Sequence, residues 1–454
     1  MNLSLITNEF SLQYPQYKQQ GLDKPQLNYD DIAQILEQHR NNSLFNFSQL
    51  GESTLGIPIW QIEIGTGDER ILAWSQMHGN ESTASAALMD FLNFLASEQQ
   101  AAWCQQWLSK VKLRIIPMLN PDGAARASRL NAMSMDINRD ASALQTPEGQ
   151  LLMQAAKNFK PAFALNLHDQ SRFYAVGDSN KTATISLLAP AFNVAKDINA
   201  IRKKAMQLIG DMHDLIQYEL PGHLAKYNDT YSTRSFGDIF TGMGISTILI
   251  ESGAYPKDDN RSVARKLNYQ LLILSVQSIA SQAYNKQSLA VYDSIPYNRK
   301  EAIKDVLITN LSINLQQHQA KVDLAIEFKK QNQAEIVEVG DLSVYSAFHC
   351  FDASGLDYQS GKAYPLTTAL NLDDAAYIAL LSQGYSHFTG DSNLLQVKTS
   401  LPVSINGPSS GPTTPELNQA AVFLMASSEG VQFAMLAGLL VNLTTGQLVY
   451  QRGT

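Results

Sequence analysis

The sequence predicts an α/β fold, in which a mixed, mostly parallel sheet is flanked by helices, followed by a smaller β-rich domain. Short apolar segments alternate with helix-like segments over the first 290 residues, which is typical of βαβ units. Beyond residue 300, short segments of alternating hydrophobicity are separated by turn residues, which is typical of antiparallel strands. The length of 454 residues also favours more than one domain. We therefore predict domains at 1–290 and 300–454.

The elements of the first domain follow from their apolar periodicity and their end signals. A helix at 29–40 has acidic residues near its start, and the segment at 47–67 alternates apolar and polar residues between glycines, as a β-hairpin does. The remaining predicted elements are strands at 70–76, 112–119, 163–168 and 246–252, and helices at 81–100, 101–110, 147–159 and 261–283.

The second domain is predicted from short alternating strands. These lie at 306–315, 321–328 and 420–427, and a final hairpin at 439–451 has Gly446 in its turn. No motif indicates what this domain does. Capping a site in the first domain, limiting substrate size and mediating assembly all stay open, and a structural accessory role is the default interpretation.

Composition and charge exclude several classes of protein. The net charge of −8 lacks the basic footprint of a general nucleic-acid binder. Two cysteines, Cys104 and Cys350, do not suffice for a disulfide framework and fit a reducing compartment. The N-terminus lacks a basic start and a continuous apolar core, and no stretch approaches 18 apolar residues, so we expect neither a signal peptide nor a membrane span. A cytoplasmic protein is therefore predicted.

Three predicted strands end on side chains that bind metals or move protons. One strand runs into His78 and Glu81, and two others end on His168 and on Glu251. In open α/β sheets, ligands bind at the carboxyl ends of strands. Two histidines and one carboxylate form a ligand set of catalytic zinc. A separate carboxylate must take a proton from water, and Glu251 is the candidate for that role.

The spacing His-x-x-acid is weak evidence on its own. With 8 histidines and 42 acidic residues in 454, chance gives about 0.7 such pairs, and His349 with Asp352 is a second one. The alternative for the first pair is a histidine that caps a loop and a glutamate in the first turn of a helix. The expected convergence with His168 and Glu251 favours a metal site for the first pair, whereas the second is interpreted as a strand that runs into a turn.

Four sequence blocks, in a fixed order, resemble the M14 family of zinc carboxypeptidases, the funnelin metallopeptidases. The blocks are HGNE at 78–81, NPDGAARASRLNAMSMDINRD at 120–140, NLHDQ at 166–170 and LIESG at 249–253. The resemblance covers about residues 45–280. It implies one Zn²⁺ per chain, held by His78, Glu81 and His168. It also implies that Glu251 is the general base.

The resemblance also assigns residues that bind substrate. Arg129 lies nine residues before Asn138, which is the spacing of the family's oxyanion-stabilising arginine, and Arg126 is the alternative if the register differs. Asn138 and Arg139 match the pair that binds the terminal carboxylate of the substrate. The structural alternative for Arg139 is a surface ion pair with Asp136 or Asp140.

A substrate-capping tyrosine is expected upstream of Glu251 by the same resemblance. Tyr231, 20 residues before Glu251, is preferred, and Tyr227 is the alternative; either can instead pack as an amphipathic edge residue. Arg234 and Asp238 are expected near the pocket that receives the last side chain of the substrate. A cationic Arg234 would suit an acidic side chain there.

Three further acids are candidates for orienting the ligands. They are Asp136, Asp169 and Glu219, and Asp169 is favoured because it follows His168 directly.

The resemblance implies a zinc-dependent metallocarboxypeptidase that hydrolyses the C-terminal peptide bond of peptides with a water activated by the metal and a glutamate. One alternative is an amidase or deacylase of the same fold that acts on acyl-amino acids or murein peptides. Another is a non-catalytic binding module, which the complete set of core residues disfavours. The sequence leaves the side-chain specificity and the oligomeric state open.

Overall fold

The structure, a computed structural model, describes residues 3–330, 333–406 and 413–450. The chain divides into two compact units, residues 1–300 and 301–454. The sequence placed the end of the first domain at 290, but a helix and a short strand between 289 and 299 belong to the first unit. Within the described ranges, no helix has both the length and the apolar character needed to cross a bilayer.

The first unit contains helices α1–α10 and strands β1–β10. The helices are α1 Leu3–Tyr17, α2 Tyr29–His39, α3 Thr83–Ala96, α4 Ala101–Leu108, α5 Pro121–Ala125, α6 Pro147–Phe159, α7 Ala200–Glu219, α8 Phe236–Gly242, α9 Ser262–Ser281 and α10 Leu289–Ser294. The strands are β1 Phe45–Glu52, β2 Pro58–Ile64, β3 Glu69–Ser75, β4 Val111–Ile116, β5 Phe163–Asp169, β6 Ala175–Val176, β7 Ile185–Leu188, β8 Leu224–Lys226, β9 Ser246–Ser252 and β10 Asn298–Arg299.

The main sheet of this unit has eight strands in the order β1-β2-β4-β3-β5-β9-β7-β8. Its centre, from β4 through β3 and β5 to β9, is parallel, and β7 pairs in parallel with β8. The β1–β2 hairpin, its contact with β4 and the β7–β9 contact are antiparallel. The predicted mixed, mostly parallel sheet is therefore confirmed.

Helices cover both faces of this sheet, which explains the apolar character of the central strands. On β3, Ile71 and Ala73 face a core formed with α3, α4, α7 and α9. Leu72 and Trp74, which alternate with them, face a second core formed with α6 and α8. Because both faces are buried, the sequence of β3 is continuously apolar and does not alternate between apolar and polar residues.

The first helix was not predicted from the sequence, and buried polar contacts hold it in place. The hydroxyl group of Tyr14 donates to Oδ2 of Asp90, at 3.0 Å. Asp90 also pairs with Arg265 of α9, whose Nη2 atom lies 2.6 Å from Oδ1. The helix therefore depends on tertiary contacts with α3 and α9 rather than on its own propensity.

The second unit is β-rich, as predicted, and contains one α-helix within its described residues. The strands are β11 Ile303–Leu315, β12 His318–Lys330, β13 Gln333–Gly340, β14 Ser346–Asp352, β15 Asp357–Gln359, β16 Lys362–Leu366, β17 Leu370–Leu372, β18 Tyr385–Gly390, β19 Leu395–Val397, β20 Val422–Ser427, β21 Gly430–Leu436, β22 Leu439–Asn442 and β23 Leu448–Tyr450, and the helix is α11 Asp374–Ser382.

Nine of these strands form one sheet, in the order β13-β12-β11-β15-β20-β21-β22-β23, with β14 also paired to β11. The predicted final hairpin corresponds to β22 and β23, and Gly446 in its turn has a φ of 71°, which glycine adopts without strain. The last residue of that prediction, 451, lies outside the described residues. Asp373 caps α11 by accepting a hydrogen bond from the backbone of Ala376.

Candidate active site

The carboxyl edge of the first unit's sheet brings together the residues predicted for the metal site. β5 and β9 pair in parallel so that His168 lies opposite Glu251. β3 is the parallel neighbour on the other side of β5 and ends at Ser75, three residues before His78. All three strands therefore deliver their terminal side chains to the same edge.

The loop that follows β3 depends on Gly79. A Cβ atom at this position would lie 2.0 Å from the backbone carbonyl carbon of Gly123 in α5. Asn120, which caps α5, accepts a hydrogen bond from the backbone of Gly123 and donates one to the carbonyl oxygen of Met77. The HGNE and NPDG blocks are therefore packed backbone against backbone, and glycine permits this close approach.

The metal-binding atoms of the three predicted ligands face one another at this edge. Nδ1 of His78 lies 2.8 Å from Oε1 of Glu81, and Nδ1 of His168 lies 2.7 Å from Oε2 of the same carboxylate. The two Nδ1 atoms are 3.1 Å apart. All three side chains are buried, and their donor atoms lie within 4.8 Å of one another.

This arrangement fits a zinc ion. Tetrahedral zinc with zinc–nitrogen bonds of about 2.0–2.1 Å places two ligand nitrogens roughly 3.3 Å apart, close to the 3.1 Å observed between His78 and His168. At least one of two Nδ1 atoms this close must lack a hydrogen, so its lone pair is available to a cation. Two imidazoles and one carboxylate are also the ligand types that zinc prefers.

The same contacts shift the pKa values of the ligands. Burial alone would raise the pKa of Glu81, but His78 and His168 outweigh it and hold that pKa well below its ordinary range. Burial likewise opposes the charged form of His78, but the carboxylates of Glu81 and Asp136 outweigh it and raise the pKa of the imidazole. A proton and a metal ion therefore compete for the same nitrogen atoms.

Asp136 orients His78 from the other side of the ring. Its Oδ1 atom lies 3.0 Å from Nε2 of His78, which leaves Nδ1 directed at the other ligands. Oδ2 pairs with Arg129, at 3.0 Å from Nη2. Burial would raise the pKa of Asp136, but its contacts with His78 and Arg129 hold it well below the ordinary range. The expectation that Asp136 contacts a ligand thus agrees with the geometry.

The two candidate arginines have different environments. Nη1 of Arg129 lies 3.1 Å from Nδ1 of His78 and 3.2 Å from Oε1 of Glu81, and 43% of its side chain is exposed. Arg126 instead donates a hydrogen bond of 2.6 Å to the backbone carbonyl of Asn131 and so stabilises the loop. The structure places Arg129, rather than Arg126, beside the ligand atoms.

Glu251 is half-buried at the end of β9, opposite His168 on β5, and its pKa is raised to about 7. Burial is the largest cause of that rise, and the charges of Glu81 and Asp169 add to it. His168 and Arg129 act in the opposite direction. A carboxyl group that titrates near neutral pH is suited to take a proton and return it in one reaction.

The predicted carboxylate-binding pair lies on a turn that is docked onto α8. Asn138 accepts a hydrogen bond from the backbone of Phe236 through Oδ1. Arg139 is exposed, and its Nη1 atom donates to Oγ of Ser235, at 3.1 Å. The neighbouring Asp140 is occupied by the backbone and hydroxyl group of Thr146. One nitrogen of the Arg139 guanidinium is therefore hydrogen-bonded to Ser235, while the side chain stays open to solvent.

The first of the two candidate tyrosines, Tyr227, is half-buried. Burial raises the pKa of Tyr227 well above its ordinary range, and the charge of Glu251 adds to that rise. Its ring lies 6.1 Å from that of Tyr174. Tyr231 is half-buried on the following loop, and its role stays a prediction.

The residues expected at the side-chain pocket differ in exposure. Arg234 is exposed, whereas Asp238 is half-buried and burial raises its pKa to about 6. Asp238 also accepts a hydrogen bond from the backbone of Ser232, at 3.0 Å. Their contribution to specificity stays a prediction.

The two other acids considered from the sequence, Asp169 and Glu219, have different environments. Asp169 is part of the site, because its backbone N–H donates to Oε2 of Glu81. Glu219 instead accepts hydrogen bonds from Ser11 and Lys266. It therefore serves the packing of α7.

The second His-x-x-acid pair has a structural environment. His349 and Asp352 lie three residues apart on β14, so their side chains point to opposite faces of the sheet. The imidazole of His349 stacks on the ring of Tyr450, with centroids 4.6 Å apart. Asp352 accepts a hydrogen bond from Asn310. The interpretation of this segment as a strand that ends in a turn agrees with the structure.

Three residues at the site were missed from the sequence. Ser235 holds Arg139, Thr83 donates to Asp169, and Arg261 contacts the ends of β5 and β9. Each acts through a side chain or backbone partner that is at least 80 residues away in sequence or belongs to another element, and no local pattern indicates it.

Comparison of this sequence with known proteins assigns it to a family. The family model for zinc carboxypeptidase, peptidase M14, matches residues 32–337. Carboxypeptidase 2 of Trichophyton rubrum is 28% identical over 132 residues, which are 29% of this chain and 24% of that protein. Carboxypeptidase SOL1 of Arabidopsis thaliana is 29% identical over 120 residues, which are 24% of each chain. The chain thus matches about a quarter of the length of these relatives.

Solved structures of carboxypeptidases are similar to this chain, although their sequence identity to it is low. The metallo-carboxypeptidase from Burkholderia cenocepacia superposes with a TM-score of 0.45 and 15% identity, over 57% of this chain and 70% of that chain. Carboxypeptidase A from Helicoverpa armigera gives a TM-score of 0.45 and 14% identity, over 61% of this chain and 80% of that chain. Because the family model spans more than half of the sequence, the chain belongs to the M14 family of zinc carboxypeptidases.

Proposed function

We propose that this chain is a zinc-dependent carboxypeptidase that hydrolyses the C-terminal peptide bond of peptides. One observation carries the proposal: the buried His78, Glu81 and His168 converge beside a carboxyl group, Glu251, whose pKa is raised to about 7. A ligand triad and a separate base are the two parts that hydrolysis by an activated water requires. Membership of the M14 family supports the same reaction.

His78, Glu81 and His168 would hold the metal. Bound zinc supplies Lewis acidity, which polarises a carbonyl group and lowers the pKa of a water molecule. In its ionised form Glu251 takes a proton from that water, and the remaining hydroxide adds to the carbonyl carbon of the substrate. The protonated Glu251 then donates this proton to the nitrogen of the departing residue, so the carboxylate is regenerated.

Arg129 stabilises the negative charge that develops on the carbonyl oxygen. Its guanidinium lies within 3.2 Å of the ligand atoms, so it is close enough to donate to an oxygen bound beside them. A donor placed where charge develops stabilises the transition state more than the substrate.

Asn138 and Arg139 fix the register of the substrate. A planar guanidinium pairs with a carboxylate through two parallel hydrogen bonds, and that of Arg139 is exposed. If a free terminal carboxylate binds there, only the last peptide bond reaches Glu251. Tyr227, near Glu251, is then the better-placed of the two tyrosines to cover the bound residue.

The experiment is a digest of a mixed peptide library with the zinc-loaded protein, read by mass spectrometry. The test variant is Glu251→Gln, and Asp211→Asn is a matched control, because Asp211 is another buried carboxyl group, on α7, that bonds to Ser278. We expect the wild type and the control to release single C-terminal residues. We expect Glu251→Gln to bind zinc and to release none.

Two outcomes would contradict the proposal. Equal release by Glu251→Gln would exclude this residue as the base. Stoichiometric zinc without any release by the wild type would contradict peptidase activity, and acyl-amino acids and murein peptides would then be the substrates to test.

A further inference from the structure

An arginine outside the four sequence blocks spans the ends of β5 and β9. Nη1 of Arg261 donates to the carbonyl oxygen of Ser252, at 2.5 Å, and Nη2 donates to that of Gln170, at 2.9 Å. Ser252 directly follows Glu251, and Gln170 lies two residues after His168. One guanidinium therefore bridges the two strand ends that carry a metal-ligand candidate and the candidate base.

The guanidinium of Arg261 also lies near the buried carboxylate of Asp169, which contacts the segment that follows β3. Nη1 of Arg261 lies 3.8 Å from Oδ2 of Asp169. That oxygen accepts hydrogen bonds from the backbone and the hydroxyl group of Thr83, the first residue of α3, at 3.2 and 2.8 Å. The backbone N–H of Asp169 donates to Oε2 of Glu81. Asp169 thus connects the Glu81 segment to β5, and Arg261 connects β5 to β9.

The backbone of Arg261 is itself fixed. Its φ of 55° lies in the left-handed region, and its N–H donates to the carbonyl oxygen of Asp258. The carboxylate of Asp258 accepts hydrogen bonds from Ser262 and Val263 at the start of α9. The guanidinium therefore projects from a capped helix end, and only 24% of the side chain is exposed.

We propose that Arg261 is a positioning residue that holds Glu251 at a fixed distance from the metal ligands. The planar guanidinium donates from two nitrogens at once, which a lysine does not do. Without the bridge, the end of β9 moves relative to that of β5, and the separation of Glu251 from His168 is no longer fixed. The kinetic part of this inference rests on the proposed carboxypeptidase function, whereas the part that concerns metal affinity does not.

The test compares Arg261→Gln with a matched control, Arg70→Gln, in the full chain. Arg70 also donates to a backbone carbonyl, that of Phe159 at 3.0 Å, but near the amino end of β3, at the opposite edge of the sheet. Zinc affinity is measured by competition with a chelating dye, and kcat and KM are measured at saturating zinc. Residues that orient a metal site typically change affinity or activity by about 10–100-fold.

We expect Arg261→Gln to weaken zinc binding by about tenfold and to lower kcat by about tenfold or more, while KM stays within twofold. Arg70→Gln should leave all three within twofold, even if its melting temperature falls equally. Arg261→Lys should resemble Arg261→Gln, because it restores the charge without the bridge. Arg261→Gly relieves the left-handed backbone, so it provides a folded variant without the side chain if Arg261→Gln does not fold.

Wild-type zinc affinity and kcat in Arg261→Gln or Arg261→Gly, with only a lower melting temperature, would overturn the inference. Full recovery of zinc affinity and kcat in Arg261→Lys would overturn the bridging role, because the positive charge alone would then be sufficient. If the wild type releases no terminal residue, the proposed function fails, and the zinc affinities of the same variants decide this inference alone.

Discussion

Replacement of Glu251 by glutamine is expected to change the number of protons released when zinc binds. Partial burial and the neighbouring carboxylates of Glu81 and Asp169 raise the pKa of Glu251 from its ordinary value of 4.5 to about 7. A zinc ion held by His78, Glu81 and His168 adds two positive charges next to it. A nearby positive charge favours the ionised carboxylate, so zinc binding should expel the proton of Glu251.

The magnitude follows from the raised pKa. With a pKa of about 7, Glu251 is about 0.9 protonated at pH 6 and about 0.1 protonated at pH 8. Wild type should therefore release about 0.9 proton more than Glu251→Gln at pH 6, and about 0.1 more at pH 8. Because binding releases protons, zinc affinity rises with pH, and below pH 7 it rises more steeply in the wild type by nearly one log unit per pH unit.

The raised pKa of His78 adds to the proton release in both proteins and cancels in the comparison. The assay is isothermal titration calorimetry of zinc into metal-free protein, in buffers with different ionisation enthalpies. Asp211→Asn is the control for the loss of a buried carboxyl group away from the site. Equal proton counts for wild type and Glu251→Gln at pH 6 would refute the reasoning, because Glu251 would then be ionised without the metal.

Four further predictions concern single residues. Arg129→Ala should lower kcat about 10²–10³-fold with a small change in KM, in steady-state kinetics; a KM effect alone would contradict an oxyanion role. Arg139→Gln should raise KM for peptides about 10–100-fold, because charge-assisted hydrogen bonds to the terminal carboxylate are lost; an unchanged KM would place carboxylate binding elsewhere. Arg234→Ala should reduce the preference for acidic over neutral terminal residues, and an unchanged ratio of kcat/KM values would remove Arg234 from the pocket. Asp90→Ala should lower the free energy of unfolding in urea by about 3–5 kcal/mol, because it leaves Arg265 buried and unpaired; a loss below about 1 kcal/mol would show that water replaces the pair.

The sequence predicted the central strands well, because burial on both faces leaves a strong apolar signal. The predicted strands at 163–168 and 246–252 correspond to Phe163–Asp169 and Ser246–Ser252. Their order in the sheet was not predicted, since strand order depends on crossovers that local patterns do not record. Strand ends could still be related to one another, because parallel strands share a carboxyl edge.

Elements held mainly by tertiary contacts were not predicted. The first helix contains Pro15 and lacks acidic residues in its first turn, and both features weaken the sequence signal for a helix. Its anchor is Tyr14 against Asp90, two residues separated by 76 positions. The helix at Asp374–Ser382 is only nine residues long and lies among strands, so its capping aspartate was not distinguished from a turn residue.

The residues of the site likewise divide into those that the sequence predicted and those that it did not. Ligand candidates lie at strand ends within recognisable blocks, so sequence reasoning reached them. The supporting contacts join distant segments: Arg139 to Ser235 across 96 positions and Arg261 to Gln170 across 91.

In the proposed function, the charges at the edge of the sheet couple the ionisation of Glu251 to the binding of a metal ion. Glu81 and Asp136 place negative charge beside His78, and Glu81 and Asp169 do so beside Glu251, so protons on His78 and Glu251 reduce this charge when no dication is bound. A zinc ion supplies two positive charges at the same place and favours the release of both protons. Under the proposed function, metal binding would therefore also ionise Glu251. This coupling follows from the partial burial of Glu251 beside Glu81 and Asp169. It would be lost if Glu251 were fully exposed to water, where its pKa would already be low.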